Sequence, residues 1–127
     1  MRVLVDTNVL FSALLFPKSV PAEALMLAAE EHEVVLCDRN ITELREILQR
    51  KAPQYLADAE VFLAEMSYEL IPTVYQSEKL MRDAKDQPIL NAAIIFGIDI
   101  ILTGDKDFLS LDIEHPKSMK PSEFLGM

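Results

Sequence analysis

Residues 2–10 have the sequence RVLVDTNVL, and this stretch contains the strongest indication of the fold. Its first four residues form a short apolar run rich in valine and leucine, which is typical of a buried strand. Asp6, Thr7 and Asn8 follow at once, and apolar residues then return at helical spacing. We therefore predict a helix with Thr7 or Asn8 as its N-cap. Asp6 would then lie at the carboxyl end of a central strand, where open α/β sheets build their sites.

The chain has 127 residues, the size of one ordinary domain, and we predict a single domain that spans residues 1–127. Its one cysteine, Cys37, lies in an apolar run and is expected to be a buried free thiol, as in cytoplasmic proteins. Asp6 and Asn8 interrupt the first apolar run, and no run is long enough to span a membrane. We therefore expect no signal peptide, no membrane contact and a cytoplasmic location.

The net charge of the chain is -9, from 21 acidic residues against 12 lysines and arginines. This balance is unfavourable for nonspecific binding to nucleic acids, which usually depends on a basic surface. Several basic residues nevertheless lie near the motifs described below and could form a local positive rim: Arg39, Arg45, Lys79, Arg82, Lys85 and Lys106. We expect any affinity for nucleic acids to be weak and salt-sensitive.

Strand patterns alternate with helix patterns along the whole chain, without a hairpin signal. The predicted strands are 2–5, 33–37, 70–75 and 98–103, with a fifth near 117–119. The predicted helices begin after residue 6 and then cover 21–32, 41–52 (capped by Asn40), 54–70, 86–97 and a short segment within 104–111, with a weak helical turn at 77–85. This alternation predicts a three-layer α/β/α fold with a mainly parallel sheet of four to five strands.

Two details of the predicted sheet and helices bear on the site. Pro72 confines the third strand to an edge of the sheet, because proline has no amide hydrogen for the ladder. The helix 86–97 is apolar on nearly every face, so we expect it to be deeply buried and to end at Gly97. Right-handed connections would place the first and fourth strands side by side at the point where the strand order reverses.

Carboxylates recur at the predicted carboxyl edge of the sheet. Asp6 ends the first strand, and Asp105 and Asp107 follow the fourth. Glu43 borders the apolar stripe of its helix, and Asp86 heads the most apolar helix. Each acid also has a purely structural interpretation, and Asp6 could be one more capping carboxylate. Glu43 stands at capping-box spacing from Asn40, and the aspartates at positions 86 and 105 could be ordinary helix caps.

Several carboxylates on one rim repel each other strongly, and a divalent cation would remove that repulsion. Oxygen ligands without histidine or cysteine favour Mg²⁺ or Mn²⁺. Such ions commonly serve phosphate chemistry, because they activate water and neutralise charge on a phosphoryl oxygen. Thr7, Asn8 and Thr103 lie beside the acids and could orient a water molecule or contact a substrate oxygen.

Five segments, in order and at suitable spacing, resemble the PIN-domain nuclease family, above all its short VapC-type toxins of toxin-antitoxin pairs. They are VDTNVLFSALL (5–15), ITELREIL (41–48), RDAKDQPILNAAI (82–94), ILTGDKDFL (101–109) and KPSEFL (120–125). The resemblance assigns four acids to the family's catalytic, metal-binding site: Asp6, Glu43, Asp86 and Asp105. It makes Asp107 an auxiliary metal ligand, and it matches Asn8 and Thr103 to accessory polar positions. A second acid, Asp83, is interpreted as loop solvation or support, and Ala84 stands where relatives often have proline.

The resemblance implies a Mg²⁺- or Mn²⁺-dependent endoribonuclease that leaves a 5′-phosphate and a 3′-hydroxyl. It also implies single-stranded RNA as substrate, an antitoxin protein as partner and a homodimer or larger assembly. A different class of function is a receiver-like binding module, in which Asp38 would accept a phosphoryl group. A third alternative is a module that only binds a partner. In that case an apolar set would form a groove rather than a core stripe: Tyr55, Leu56, Phe62, Leu63 and Met66.

Overall fold

The computed structural model describes residues 1–75 and 86–127 of the chain. In these ranges a five-stranded, all-parallel sheet lies between layers of helices, which confirms the predicted three-layer α/β/α fold. The predicted turn at 77–85 lies outside the described residues. The same holds for the five individual residues of this stretch named above: Lys79, Arg82, Asp83, Ala84 and Lys85.

The strands pair in the order β3-β2-β1-β4-β5. Their bounds are β1 (Arg2–Val5), β2 (Glu33–Cys37), β3 (Glu69–Ile71), β4 (Ile100–Leu102) and β5 (Lys117–Met119). The first strand is central, and the chain reaches β2 and β3 on one side of it before it continues to β4 and β5 on the other. The strand order therefore reverses between β1 and β4, as predicted.

The helices lie between and after the strands. They are α1 (Thr7–Leu15), α2 (Val20–Glu31), α3 (Asp38–Lys51), α4 (Leu56–Glu65), α5 (Gln87–Ile95), α6 (Lys106–Leu109) and α7 (Pro121–Leu125), with a 3₁₀ turn at Pro53–Tyr55. Among the described residues no single helix is long and apolar enough to cross a membrane; only α1 and α2 pass that test together, and a bend of 108° separates them.

The N-caps predicted for the first and third helices are wrong by one to three residues. Asp6 caps α1, because its backbone is still extended and its carboxylate accepts a hydrogen bond from the Thr7 amide at 2.9 Å. Cys37 is the N-cap residue of α3, and Asn40 is the third residue of the helix. The Asn40 side-chain oxygen accepts from the Cys37 amide at 3.1 Å, so Asn40 supports the cap from inside the helix.

The helix predicted at 54–70 and the strands predicted at 70–75 and 98–103 are too long. In place of the predicted helix, the chain forms the 3₁₀ turn and then α4, which ends at Glu65, and β3 already begins at Glu69. The third strand stops at Ile71, because Pro72 cannot donate a hydrogen bond to the ladder. It is an edge strand, as predicted. The fourth strand keeps only residues 100–102 of the predicted 98–103.

Alternate residues of the central strand enter two separate cores. Val3 and Val5 pack into the core beneath α1, α2 and α3, whereas Leu4 packs into the core beneath α5. The predicted deep burial of the helix 86–97 holds for residues 88–93 but is wrong for the last turn. Its large side chains Ile94, Ile95 and Phe96 are exposed, because apolar composition does not show where the covering layer ends. Gly97 ends the helix at a φ of 67°, a left-handed conformation that favours glycine.

The five apolar residues that were predicted to form either a core stripe or a groove for a partner belong to the core. Leu63 is buried, and the other four members are partly buried and pack against the same core: Tyr55, Leu56, Phe62 and Met66. Phe62 and Met66 also line a shallow apolar groove of about 420 Å³ between α4 and the first two helices. Cys37 is buried and free, as predicted, and its burial raises the pKa of the thiol to about 12, so the thiol is unreactive.

Candidate active site

The carboxyl ends of β1 and β4 meet at the point where the strand order reverses. Val5 pairs with Leu102, which brings Asp6 beside Thr103. The Asp6 amide donates to the Leu102 carbonyl at 3.0 Å, and the Thr103 hydroxyl donates to the Asp6 carboxylate at 2.9 Å. The same hydroxyl accepts from the Asp105 amide at 2.9 Å. One threonine therefore joins the carboxylate of the first strand to the acidic loop after the fourth.

Asp6 is an acid held in an unfavourable environment. Its side chain is only 8% exposed, and burial raises its pKa from 3.8 to about 6. The hydrogen bonds from Thr103 and Thr7 act in the opposite direction, and the negative charges of Asp105 and Glu43 raise the pKa further. A cation at this position would relieve both the burial cost of the charge and the repulsion.

The loop after β4 and the start of α5 supply three more acids. Asp105 is the N-cap of α6, and its carboxylate accepts from the Asp107 amide at 2.9 Å, which places the two side chains beside each other. Asp86 is the N-cap residue of α5, which agrees with the structural interpretation of its position, but its carboxylate makes no capping hydrogen bond. Carboxylate oxygens of the aspartates at positions 86, 105 and 107 lie within 4.8 Å of one another.

Glu43 reaches the site from α3. One of its oxygens accepts from the Thr7 hydroxyl at 3.3 Å, and the other accepts from the Arg39 Nε at 2.9 Å. The capping-box interpretation of Glu43 is wrong, because Cys37 and Asn40 form that box. Partial burial lowers the pKa of the Arg39 guanidinium, but the Glu43 carboxylate outweighs this effect and raises it.

Two accessory polar residues lie among the acids, and one does not. Thr7 and Thr103 are buried and connect Asp6 to the acids of α3 and of the loop after β4. Asn8 is exposed on the first turn of α1, and across residues 1–75 and 86–127 its side chain makes no hydrogen bond to the acids. The sequence pattern alone did not separate these positions, because all three follow a strand end.

A cleft of about 430 Å³ opens beside the acids. Three of its lining residues belong to the predicted acidic set: Glu43, Asp86 and Asp105. The others belong to one face of α3 and are Arg39, Thr42, Glu46, Ile47 and Arg50. We did not predict the contact of Arg39 with Glu43, although their i,i+4 spacing on a helix is a signal that could have revealed it. The arrangement presents oxygen ligands at the floor of the cleft and guanidinium groups along one wall.

The donor set fits a hard divalent cation. The close group of Asp86, Asp105 and Asp107 offers carboxylate oxygens at a spacing that one ion could bridge. Neither histidine nor the cysteine belongs to this group, so the site is unlike the usual zinc sites and suits Mg²⁺ or Mn²⁺. Without a cation, these groups would repel each other at short range.

Comparison with known proteins agrees with this geometry. An uncharacterized protein of Methanocaldococcus jannaschii is 32% identical over an alignment of 142 positions, which covers 98% of this chain and 90% of the relative. The fold resembles a crystal structure of VapBC2 from Rickettsia felis bound to a DNA fragment from their promoter. This match has a TM-score of 0.70 and 17% identity and covers 94% of this chain and 98% of that one. The profile of the PIN domain family matches residues 2–107, and this chain belongs to that family.

Proposed function

We propose that the protein is an endoribonuclease that uses Mg²⁺ or Mn²⁺ to hydrolyse phosphodiester bonds of single-stranded RNA. The observation that carries this proposal is the approach of three carboxylates, those of Asp86, Asp105 and Asp107, to within 4.8 Å of one another. Membership of the PIN domain family supports it, because PIN domains are generally nucleases. In this proposal Asp6, Glu43, Asp86 and Asp105 are the catalytic acids, and Asp107 is an additional metal ligand.

The residues of the chain have distinct parts in this mechanism. A bound divalent cation would lower the pKa of water and neutralise charge on the phosphoryl oxygens. The aspartates after β4 and before α5 would hold the cation, and the carboxylate of Asp6 would add its negative charge to theirs. Thr103 and Thr7 keep the Asp6 carboxylate in one orientation through hydrogen bonds of 2.9 Å. In-line attack of water on phosphorus would break the bond to the 3′ oxygen and leave a 5′-phosphate and a 3′-hydroxyl.

Cleavage of labelled single-stranded RNA in Mn²⁺ tests this proposal. Asp86→Asn is expected to lower the rate by at least about a hundredfold, because it removes a carboxylate from the group that would hold the ion. Asp58→Asn is the matched control, since Asp58 is exposed on α4 and does not line the cleft. A wild-type protein that does not cut RNA in Mn²⁺, or an Asp86→Asn protein with wild-type activity, would contradict the proposal.

Two observations argue against the receiver-like alternative. Asp38 follows β2, away from the reversal of strand order between β1 and β4. Its carboxylate accepts a hydrogen bond from the Thr73 amide at 3.0 Å, which ties α3 to the segment after β3. Asp38 therefore has a structural contact and lies apart from the group of close acids. Incubation with acetyl phosphate, followed by intact mass, should detect no phosphorylated protein.

We further propose that this nuclease is the toxin of a toxin-antitoxin pair and binds an antitoxin protein. The likeness to VapBC2 supports this proposal at the level of the fold. Growth arrest on expression of the wild type but not of Asp86→Asn, reversed by the product of a neighbouring gene, is the expected result. Arrest by both proteins would contradict a nuclease toxin. A homodimer and a cytoplasmic location stay predictions, and light scattering after size exclusion would decide the first.

A further inference from the structure

The arginines of the described ranges differ in whether their side chains form ion pairs. Three of them form ion pairs with glutamates: Arg2 with Glu33, Arg39 with Glu43 and Arg45 with Glu60. Arg50 is the fourth arginine of residues 1–75 and 86–127, and within these ranges its side chain makes neither an ion pair nor a hydrogen bond. The unpaired guanidinium is exposed and lines the cleft beside the acids.

The contrast with Arg45 shows that α3 presents two different faces. Arg45 lies on the side of the helix that meets α4, where it forms two hydrogen bonds with Glu60 at 2.7 and 3.1 Å. Arg50 lies on the side that borders the cleft. Both side chains are exposed, so their difference is the face of the helix they occupy and not their burial.

The position of Arg50 along the helix relates it to the acids. Thr42, Glu46 and Arg50 follow one another at intervals of four residues and form a column along the cleft wall. Arg50 is seven residues beyond Glu43, which corresponds to about 10 Å along the helix axis. A phosphate beside Arg50 would therefore be a different phosphate from the one bound at the acids.

Guanidinium is the side-chain group best suited to this position. It offers several donors in a planar fork that matches the oxygens of a phosphate, and it remains charged at every relevant pH. The overall charge of the chain is -9, so an RNA strand needs local cationic groups to approach the acids. Arg50, which forms no ion pair with a carboxylate of residues 1–75 or 86–127, supplies such a group.

We propose that Arg50 binds a backbone phosphate next to the scissile one, so that the RNA strand runs along the column of Thr42, Glu46 and Arg50. This inference rests on the proposed ribonuclease function and adds the path of the substrate. Because Glu46 lies on the same path, its negative charge weakens the contact with the strand. Substitutions at positions 46 and 50 should therefore change RNA affinity in opposite directions.

Binding of fluorescently labelled single-stranded RNA to the full chain in EDTA, as a function of salt, tests the contact without cleavage. Arg50→Ala should lower the slope of log affinity against log salt by about 0.7, the loss of one phosphate contact on a single strand. Taking equal affinity of the two proteins at 1 M salt as the reference, this difference in slope makes Arg50→Ala bind RNA about fivefold more weakly than the wild type at 0.1 M salt. Glu46→Gln should strengthen binding.

Two control variants separate the contact from general charge. Arg50→Lys keeps the charge, so the salt slope should stay close to that of the wild type. Arg45→Ala removes an equal charge from the α4 side of the same helix and should leave both affinity and slope unchanged. Equal losses in Arg45→Ala and Arg50→Ala would overturn the inference, and so would a wild-type slope in Arg50→Ala or a wild type that binds no RNA. Thermal unfolding of each variant checks that the fold is intact.

Kinetics in Mn²⁺ separate this inference from the proposed function. Arg50→Ala should raise KM about fivefold and leave kcat close to the wild-type value, because the contact is made before and during the reaction alike. If the wild type cleaves RNA and Arg50→Ala has the same KM as the wild type, only the inference about Arg50 would be overturned. If the wild type binds RNA more tightly than Arg50→Ala but does not cleave it, the nuclease proposal alone would be overturned.

Discussion

Asp6→Asn is expected to stabilise the metal-free protein at pH 8, although it should abolish the proposed activity. Asp6 is buried, and its pKa is raised from 3.8 to about 6, mainly by burial. The ionised carboxylate therefore costs free energy in the folded state, and asparagine removes the charge at nearly constant shape. An acid that destabilises its own fold is the expected consequence of collecting acids at one site.

The size of the effect follows from two contributions. A rise of about two pKa units corresponds to about 3 kcal/mol of unfolding free energy above pH 6. Asparagine keeps an oxygen for the Thr7 amide, but its amide nitrogen cannot accept the hydrogen bond that Thr103 now donates at 2.9 Å. Loss of that bond costs about 1 kcal/mol, so the expected net gain is about 2 kcal/mol.

The gain should depend on pH in a defined direction. The folded state keeps the Asp6 proton up to about pH 6, whereas the unfolded chain releases it near the ordinary pKa of 3.8. The stability of the wild type therefore falls as the pH rises through this window, and the advantage of asparagine develops there and is complete above about pH 6. Below about pH 4 both states hold the proton, and the gain should vanish.

Urea denaturation in EDTA at pH 8 and pH 4 measures this prediction. Asp112→Asn is the control, because Asp112 is exposed in a loop and its substitution should leave the unfolding free energy unchanged at both values. An Asp6→Asn protein no more stable than the wild type at pH 8 would refute the reasoning. A gain of equal size at pH 4 would refute it too, since the cause could not then be the charge.

Three further substitutions test other parts of the structure. Asp105→Asn should weaken Mn²⁺ binding more than about tenfold by calorimetry, because it removes one of three close carboxylates; an unchanged affinity would place the ion elsewhere. Asp38→Ala should lower the unfolding free energy by about 1 kcal/mol, through loss of the hydrogen bond to the Thr73 amide, and leave RNA cleavage unchanged. Loss of cleavage in this variant would show that Asp38 takes part in the reaction. Gly97→Ala should cost about 1 kcal/mol, because φ is 67° there, and denaturation that finds no loss would contradict the left-handed end of α5.

The boundaries of the elements were less predictable than their order. Asp6 follows a strand, and its side chain caps the next helix, so the N-cap lies one residue before the predicted position. Asn40 was predicted as a cap from its residue type, but it serves the cap of α3 from the third helical position. Several polar residues near a helix start can satisfy the same amides, and composition does not choose among them.

The aspartates of the candidate site were predictable because each stands at the end of a strand or the start of a helix, and Glu43 was predictable because it borders the apolar stripe of α3. The residues that these acids contact were not predictable. The contacts of Glu43 with Thr7 and Arg39 depend on how α3 is rotated against the sheet. The exposure of Asn8 depends in the same way on the rotation of α1. Rotation of a helix follows from packing against distant residues, which a local pattern does not contain.

The sequence by itself determined the alternation of strands and helices, the parallel sheet and the acidic character of its carboxyl edge. These features depend on apolar spacing and on hydrogen bonds between residues that are close along the chain. Only the tertiary structure brought Asp86 to Asp105 and Asp107, joined Asp6 to Thr103 and placed Arg50 beside the cleft that these acids line. These contacts join residues far apart in sequence, so they exist only once strand order and helix packing have placed the separate elements together.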